Sequence, residues 1–239
     1  MFAIILAGGL LIINAGLAAS APVLVELFTS EGCSSCPPAD SLLRRLEKEQ
    51  PVQGAEIIVL SEHVDYWDHL GWRDPFSSAE FTKRQRNYAH RFNRDGPYTP
   101  QMVVNGETEF VGSDARRAEQ SIASAAKKQR VAIRLSWSGG SAVHVEVDPA
   151  TSGKFKQAEV YVVLAHDGAI SDVVLGENSG RKMAHASVAV KMIVAGKVTS
   201  SAGLSKDVPL AAAGERVIVF VQEPDQGKIL GSAILRGRP

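Results

Sequence analysis

The chain has 239 residues, with 26 Lys and Arg set against 26 Asp and Glu. A net charge of zero at pH 7 excludes the broad basic field that nucleic acid requires and offers no attraction to an acidic membrane surface. About 220 residues beyond the N-terminal segment suit one large or two modest domains with a buried core, and no internal repeat or low-complexity tract divides them.

Residues 1 to 20 carry no charged side chain, and Phe2 to Leu6 and Leu10 to Ile13 are strongly apolar. Ala18-Ala19-Ser20-Ala21 then supplies the small residues that signal peptidase accepts. Residues 1–20 therefore read as an export signal, although one without a basic start. An N-terminal membrane anchor is the competing reading, weakened by Gly8, Gly9, Asn14 and Gly16 in what should be a run of about 20 apolar residues. Either way the globular part is periplasmic or secreted, where a cysteine pair can be held oxidised.

The run Val23-Leu24-Val25-Glu26-Leu27-Phe28 predicts a buried strand, and Ala39 to Glu49 predicts a helix. Between them stands Cys33-Ser34-Ser35-Cys36-Pro37, whose thiols are the chain's two cysteines. A thiol at a helix N-terminus faces unpaired N–H groups and the positive end of the helix dipole, which favours the nucleophilic thiolate. Cys33 is read as that nucleophile. Cys36, one turn further in, is placed to resolve a mixed disulfide on Cys33, and Pro37 fits an early helical position that needs no N–H partner. Two other readings stay open. A static disulfide across three residues would constrain almost no loop and so stabilise little, and half of a zinc site would need histidines such as His63 and His69 to complete it.

Glu56 to Leu60 reads as a second buried strand, and the order strand, helix, strand implies a right-handed crossover and a parallel pair. Residues 61 to 76 then gather His63, Asp65, Tyr66, Trp67, Asp68, His69, Trp72, Arg73 and Asp74. That density follows the C-terminal end of a strand, where α/β folds place their chemistry. His63 and Asp65 alternate, so that one is placed to orient or charge the other near Cys33. His63 is taken as a site residue because imidazole is readily tuned across neutral pH, against the reading that it is a satisfied structural histidine. Trp67 and Trp72 read as packing. Ser77 to Phe92 is a helix burying Phe81, Tyr88 and Phe92, with Lys83, Arg84, Arg86, Arg91 and Arg94 assigned to a solvated face and a functional docking patch as the competing reading. A hairpin follows, Gln101 to Val104 and Glu109 to Val111 around an Asn105-Gly106 turn. Pro100 stands before its first strand in a position open to a cis bond. Asp114 to Lys128 closes the unit as an amphipathic helix.

From Val131 the pattern has period two: Val131, Ile133, Leu135 and Trp137 share one face, then Val143, Val145 and Val147. Further strands are expected at Ala158–Ala165, Ala186–Val194, Arg216–Gln222 and Ile229–Leu235, which implies a small antiparallel sandwich packed on the first unit. The stretch from Gly176 to Lys182 is rejected as a nucleotide loop, since its glycines are too close and no Ser or Thr follows the Lys.

Strand, CxxC, helix, strand, inserted helix, Thr-Pro, hairpin, helix is similar to the thioredoxin fold. Glu26-Leu27-Phe28-Thr29-Ser30 through Cys33-Ser34-Ser35-Cys36-Pro37-Pro38-Ala39-Asp40, with His63-Val64-Asp65-Tyr66-Trp67-Asp68, resembles an uncharacterised family of exported bacterial thioredoxin-like proteins. The resemblance implies that Cys33 attacks, that Cys36 resolves and that Pro100 is the cis-proline facing the pair. It also implies a buried acid beneath the thiols, matched by Glu26 as proton acceptor for Cys36. Glu26 lies one residue further from Cys33 than the usual thioredoxin offset, and an ion pair with an Arg is its competing reading. Glu31-Gly32 replaces the Trp that thioredoxin carries before its first cysteine.

The expected fold class is α/β: an export segment over 1–20, a thioredoxin-like domain with a helical insertion over 21–129, and an antiparallel β-sandwich-like domain over 130–239. The expected function is thiol–disulfide oxidoreduction on protein or small-molecule disulfides. A copper- or zinc-carrying protein that uses the Cys pair and a histidine is the alternative. No cofactor and no nucleic acid are expected, and a membrane-associated redox partner fits an exported pair. Oligomeric state is not legible.

Overall fold

The computed structural model describes residues 20–128, 130–139, 142–149, 156–210 and 216–237. The export signal expected at residues 1–20 lies, but for Ser20, outside the described residues. Among the described residues, no helix is long and apolar enough to cross a membrane.

The first half alternates strands and helices as its periodicity requires. Strand β1 (Ala21–Thr29) leads through the cysteine loop into helix α1 (Pro37–Glu49), and β2 (Ala55–His63) returns parallel to β1. A short 3-10 turn, Asp65–Trp67, precedes helix α2 (Ala79–Arg91), whose N-cap Ser78 accepts the Glu80 N–H. Strands β3 (Gln101–Val104) and β4 (Thr108–Val111) form the hairpin, with β3 antiparallel to β1. At its turn Asn105 and Gly106 both take positive φ, and a Cβ on Gly106 would lie 2.4 Å from the Gly227 carbonyl oxygen, so that only glycine fits. Helix α3 (Ala115–Ala126) starts at Asp114, which accepts the Arg117 N–H.

The second half adds β5 (Ile133–Ser138), β6 (Ala142–Val147), β7 (Ala158–Val173), β8 (Arg181–Val198), β9 (Leu204–Pro209), β10 (Arg216–Gln222) and β11 (Ile229–Arg236). The expectation of a separate small sandwich is corrected here. Strands β7, β8, β10 and β11 continue the first sheet, giving eight strands in the order β11-β10-β7-β8-β2-β1-β3-β4, with β8 parallel to β2 at Ser61 and Val188. The three-stranded sheet β5-β6-β9 packs Val143, Val145, Val147 and Val208 on Val160, Val162, Val217, Val219 and Val221. Sheet-on-sheet packing is thus present, but one of its two sheets is shared with the first half. Strand β9 escaped the sequence pattern because only Leu204 and Val208 on it are apolar.

Two buried clusters flank the first-half strands, and the second of them binds the halves together. Val25, Leu27, Ile57 and Val59 pack under Leu43, Leu46 and Ile122 of α1 and α3. Leu24, Ile58, Leu60 and Phe81 pack with Val163, Ala165, Ala189, Ile218 and Phe220 from the second half. Separating the halves would expose this last cluster at roughly 1.5–3 kcal/mol per large side chain, against a typical net stability of about 5–15 kcal/mol. A fragment of residues 21–129 is therefore expected to show no cooperative thermal unfolding by circular dichroism; a sharp transition like that of the whole chain would contradict the shared core.

Candidate functional site

Cys33 and Cys36 form a disulfide across the loop that joins β1 to α1. Cys36 is the N-cap of α1 and Pro37 opens it, as expected. The helix start differs from the sequence argument in one respect. Pro37 and Pro38 have no N–H, and the Ala39 and Asp40 N–H groups donate to the Cys36 carbonyl oxygen at 2.8 and 3.1 Å, so the first turn leaves few free donors for a thiolate. The Ser35 hydroxyl lies 3.4 Å from Cys33 Sγ. The two thiols do not differ in exposure: both cysteines are 0% exposed while Ser34 and Ser35 face solvent.

Pro100 follows a cis Thr99–Pro100 bond. A Cβ built on Gly112 would lie 3.1 Å from both Ala39 and Pro100, which places Pro100 beside the first turn of α1. Trp67 ties the two loops together. Its Nε1–H donates to Thr99 Oγ1 at 2.8 Å, and its Cβ lies 3.1 Å from where a Gly32 side chain would start. Gly32 thus leaves room for the indole to cross just ahead of Cys33.

Glu26 is not tied to the pair. Its carboxylate accepts from Arg84 Nε and Tyr88 Oη, each at 2.7 Å, on the side of the sheet covered by α2. Of the two readings left open by the sequence, this geometry is that of the ion pair. Arg84 also donates to Gln222 Oε1 at 3.0 Å and lies over the Tyr88, Tyr161 and Phe220 rings. It is buried, not on the solvated face assigned to it. Burial works against its charge, but Glu26 outweighs this and raises its pKa, while burial and Glu26 push the neighbouring Glu62 carboxyl well up.

Behind the disulfide lies a second polar cluster that the sequence reading did not assemble. Glu31, Asp40, His63, Asp74 and His185 are each no more than 4% exposed. His63 Nδ1 is 2.7 Å from Asp74 Oδ2, and the same oxygen accepts the Glu31 N–H at 2.8 Å. His63 is therefore oriented by Asp74, whereas Asp65 turns to Thr82 Oγ1 at 2.6 Å. His185 Nε2 lies 3.2 Å from Glu31 Oε1, and its Nδ1 lies 3.5 Å from Asp40 Oδ1. The Trp72 indole N–H completes Glu31 at 2.8 Å, and the His63 and His185 rings meet edge to face with centroids 4.6 Å apart. Asn178, in the β7–β8 turn, donates to the carbonyl oxygens of both Glu31 and Cys33 at 2.9 Å. The Ser34 N–H donates to Glu177 Oε2 at 3.1 Å.

The charges follow from these contacts. Burial opposes ionisation of Glu31 and Asp74, but hydrogen bonds led by His185 lower the first, and the charge and hydrogen bond of His63 lower the second. Burial disfavours the His185 imidazolium, yet Asp40 and Glu31 outweigh it and raise its pKa to about 9. Of the zinc ligands considered, His63 is buried on Asp74 while His69 is exposed. Among the described residues, no group of three His, Cys, Asp or Glu side chains is arranged to hold a metal ion. His185 was missed because the expected strand began at Ala186, just past it and five residues after the observed start at Arg181, and Asn178 because its turn was weighed only as a phosphate loop.

A family model described as "Protein of unknown function (DUF1223)" matches residues 24–222. The chain is similar to a protein from Agrobacterium tumefaciens whose crystal structure was solved as a structural genomics target. The two share 28% identity and a TM-score of 0.77 over 92% of this chain and 96% of the other. No curated protein matches the sequence.

Proposed function

We propose that this chain, which belongs to the DUF1223 family, is an exported thiol–disulfide oxidoreductase working through Cys33 and Cys36. The observation that carries the reading is the disulfide at the start of α1, a bridge too short in sequence to matter as a staple. The order from β1 to α3, with β1 between parallel β2 and antiparallel β3, supports a thioredoxin-like unit with α2 as its helical insertion. So does cis-Pro100 beside the first turn of α1. The export-like N-terminus supports a periplasmic or secreted location.

The proposed step conserves electrons and protons. A substrate thiolate attacks Cys33 Sγ, the Cys33–Cys36 bond breaks, and Cys36 leaves as a thiolate that takes up a proton. The substrate's second thiolate then attacks its own sulfur in the mixed disulfide and expels Cys33, so that two electrons and two protons pass from substrate dithiol to the pair. Both sulfurs are buried, so the attacking thiolate reaches Cys33 when the Ser34-Ser35 bend or the β7–β8 turn swings aside. A partner returning the pair to its starting state, membrane-associated or soluble, completes the cycle. The test is turnover: catalytic amounts of the protein should accelerate oxidation of a dithiol peptide by glutathione disulfide. A rate equal to the uncatalysed one would count against the reading.

A further inference from the structure

The second half of the chain reaches the redox pair through β8. His185 stands between two carboxylates that lie on either side of the cysteine loop: Glu31, two residues before Cys33, at 3.2 Å, and Asp40, four residues after Cys36, at 3.5 Å. Glu31 is held further by Trp72 and Asp40 by Thr29 Oγ1 at 3.3 Å. We infer that His185 is the positioning residue of this site, bridging Glu31 to Asp40 and so fixing the loop in which the two sulfurs meet. The inference rests on the redox reading above and gives the appended strands a role in it.

The bridge depends on protonation. Neutral imidazole has one N–H and serves one carboxylate as donor, whereas imidazolium donates to Glu31 and sets its second N–H and its positive charge 3.5 Å from Asp40 Oδ1. The ionisable groups facing His185 are Glu31 from the cysteine loop, Asp40 from α1, His63 from β2 and, through His63, Asp74 from the segment before α2. Arg181 and Lys182, on its own strand, are exposed. Because the folded-state pKa is raised from 6.5 to about 9, the bridge is complete below pH 6.5. It is lost as pH rises through about 9. Two thiols held at bonding distance close into a disulfide more readily than two thiols on a loose loop, so the equilibrium of the pair reports the bridge.

The experiment measures the disulfide-forming constant of the whole protein in glutathione buffers from pH 6 to pH 10, with thiol ionisation followed separately by thiolate absorbance. His185→Gln should lower the constant about tenfold at pH 7, equivalent to roughly 30 mV for a two-electron couple. Glu31→Gln/His185→Gln, which leaves one fewer unpaired buried carboxylate, serves where the single variant does not fold. In the wild type the constant, corrected for thiol ionisation, should fall through about pH 9, and in the variants that fall should vanish. A folded variant with the wild-type constant, or a flat corrected wild-type profile, overturns the inference and leaves the redox reading standing. If both variants fail to fold, the wild-type profile alone decides. A wild-type pair that does not exchange with glutathione at all overturns the redox reading and this inference with it.

Discussion

Cys33→Ser should reduce exchange activity to background, whereas Cys36→Ser should accumulate mixed disulfides with substrate. The two thiols are equally buried, so their difference is one of position. Cys33 precedes the exposed Ser34-Ser35 bend and has the Ser35 hydroxyl at its sulfur, while Cys36 caps α1. Movement of the bend uncovers Cys33 first. In Cys36→Ser the Cys33 thiolate can still attack a substrate disulfide and release one substrate thiolate, the proposed step run in reverse, but no Cys36 thiol remains to attack Cys33 in the mixed disulfide, so the covalent adduct persists. Mass spectrometry of adducts formed at Cys33 would identify the substrate. If Cys33→Ser retains exchange, or if only Cys33→Ser traps adducts, the roles are reversed.

Arg84→Met is expected to destabilise the fold by about 3–5 kcal/mol, the usual range for removing one partner of a buried pair. The guanidinium satisfies Glu26, contacts Glu62 at 3.6 Å and joins Tyr88 to Gln222. Methionine keeps much of the volume but leaves Glu26 a buried carboxylate with only Tyr88 to donate to it. At roughly 2–4 °C per kcal/mol for a chain of this size, the melting temperature should drop on the order of 10 °C. Glu26→Gln in the Arg84→Met background should recover part of the loss by removing the stranded charge. A melting temperature within a degree or two of wild type would show that the network is not what holds α2 to the sheet.

The element order of the first half was legible because each element carries a local signature. The period-two and period-3.6 runs, Ser78 and Asp114 as caps and the Asn105-Gly106 turn are all decided within a few residues. What escaped reading was decided at long range. The junction of β8 with β2 depends on a sheet edge that no single segment announces. Strands β7 and β8 run past their apolar stretches into polar sequence, Ile170 to Val173 and Arg181 to His185, sustained by their pairing with each other. The site divided the same way. The cysteine pair could be named from spacing, Pro100 from the resemblance to thioredoxins, and His63 from the density around it. Glu31 was noted only for the residue it replaces, and Asp40 only as part of a motif. His185 sits 154 positions from Glu31, so its role emerges only when β8 is placed beside β2. Arg84 was misassigned because an arginine among four other cations on a helix resembles a solvated face, and only a buried Glu26 opposite could have said otherwise.

If Cys33 and Cys36 are a working redox couple, they exchange reversibly with glutathione. The protein is titrated at pH 7 against a series of reduced-to-oxidised glutathione ratios, approached from both the oxidised and the reduced form. Irreversible alkylation and intact mass would quantify the dithiol form at each ratio. The two approaches should converge on one reversible two-electron curve while the protein stays folded. A disulfide that persists across every ratio until the protein unfolds, or thiols that do not close again once reduced, would contradict it.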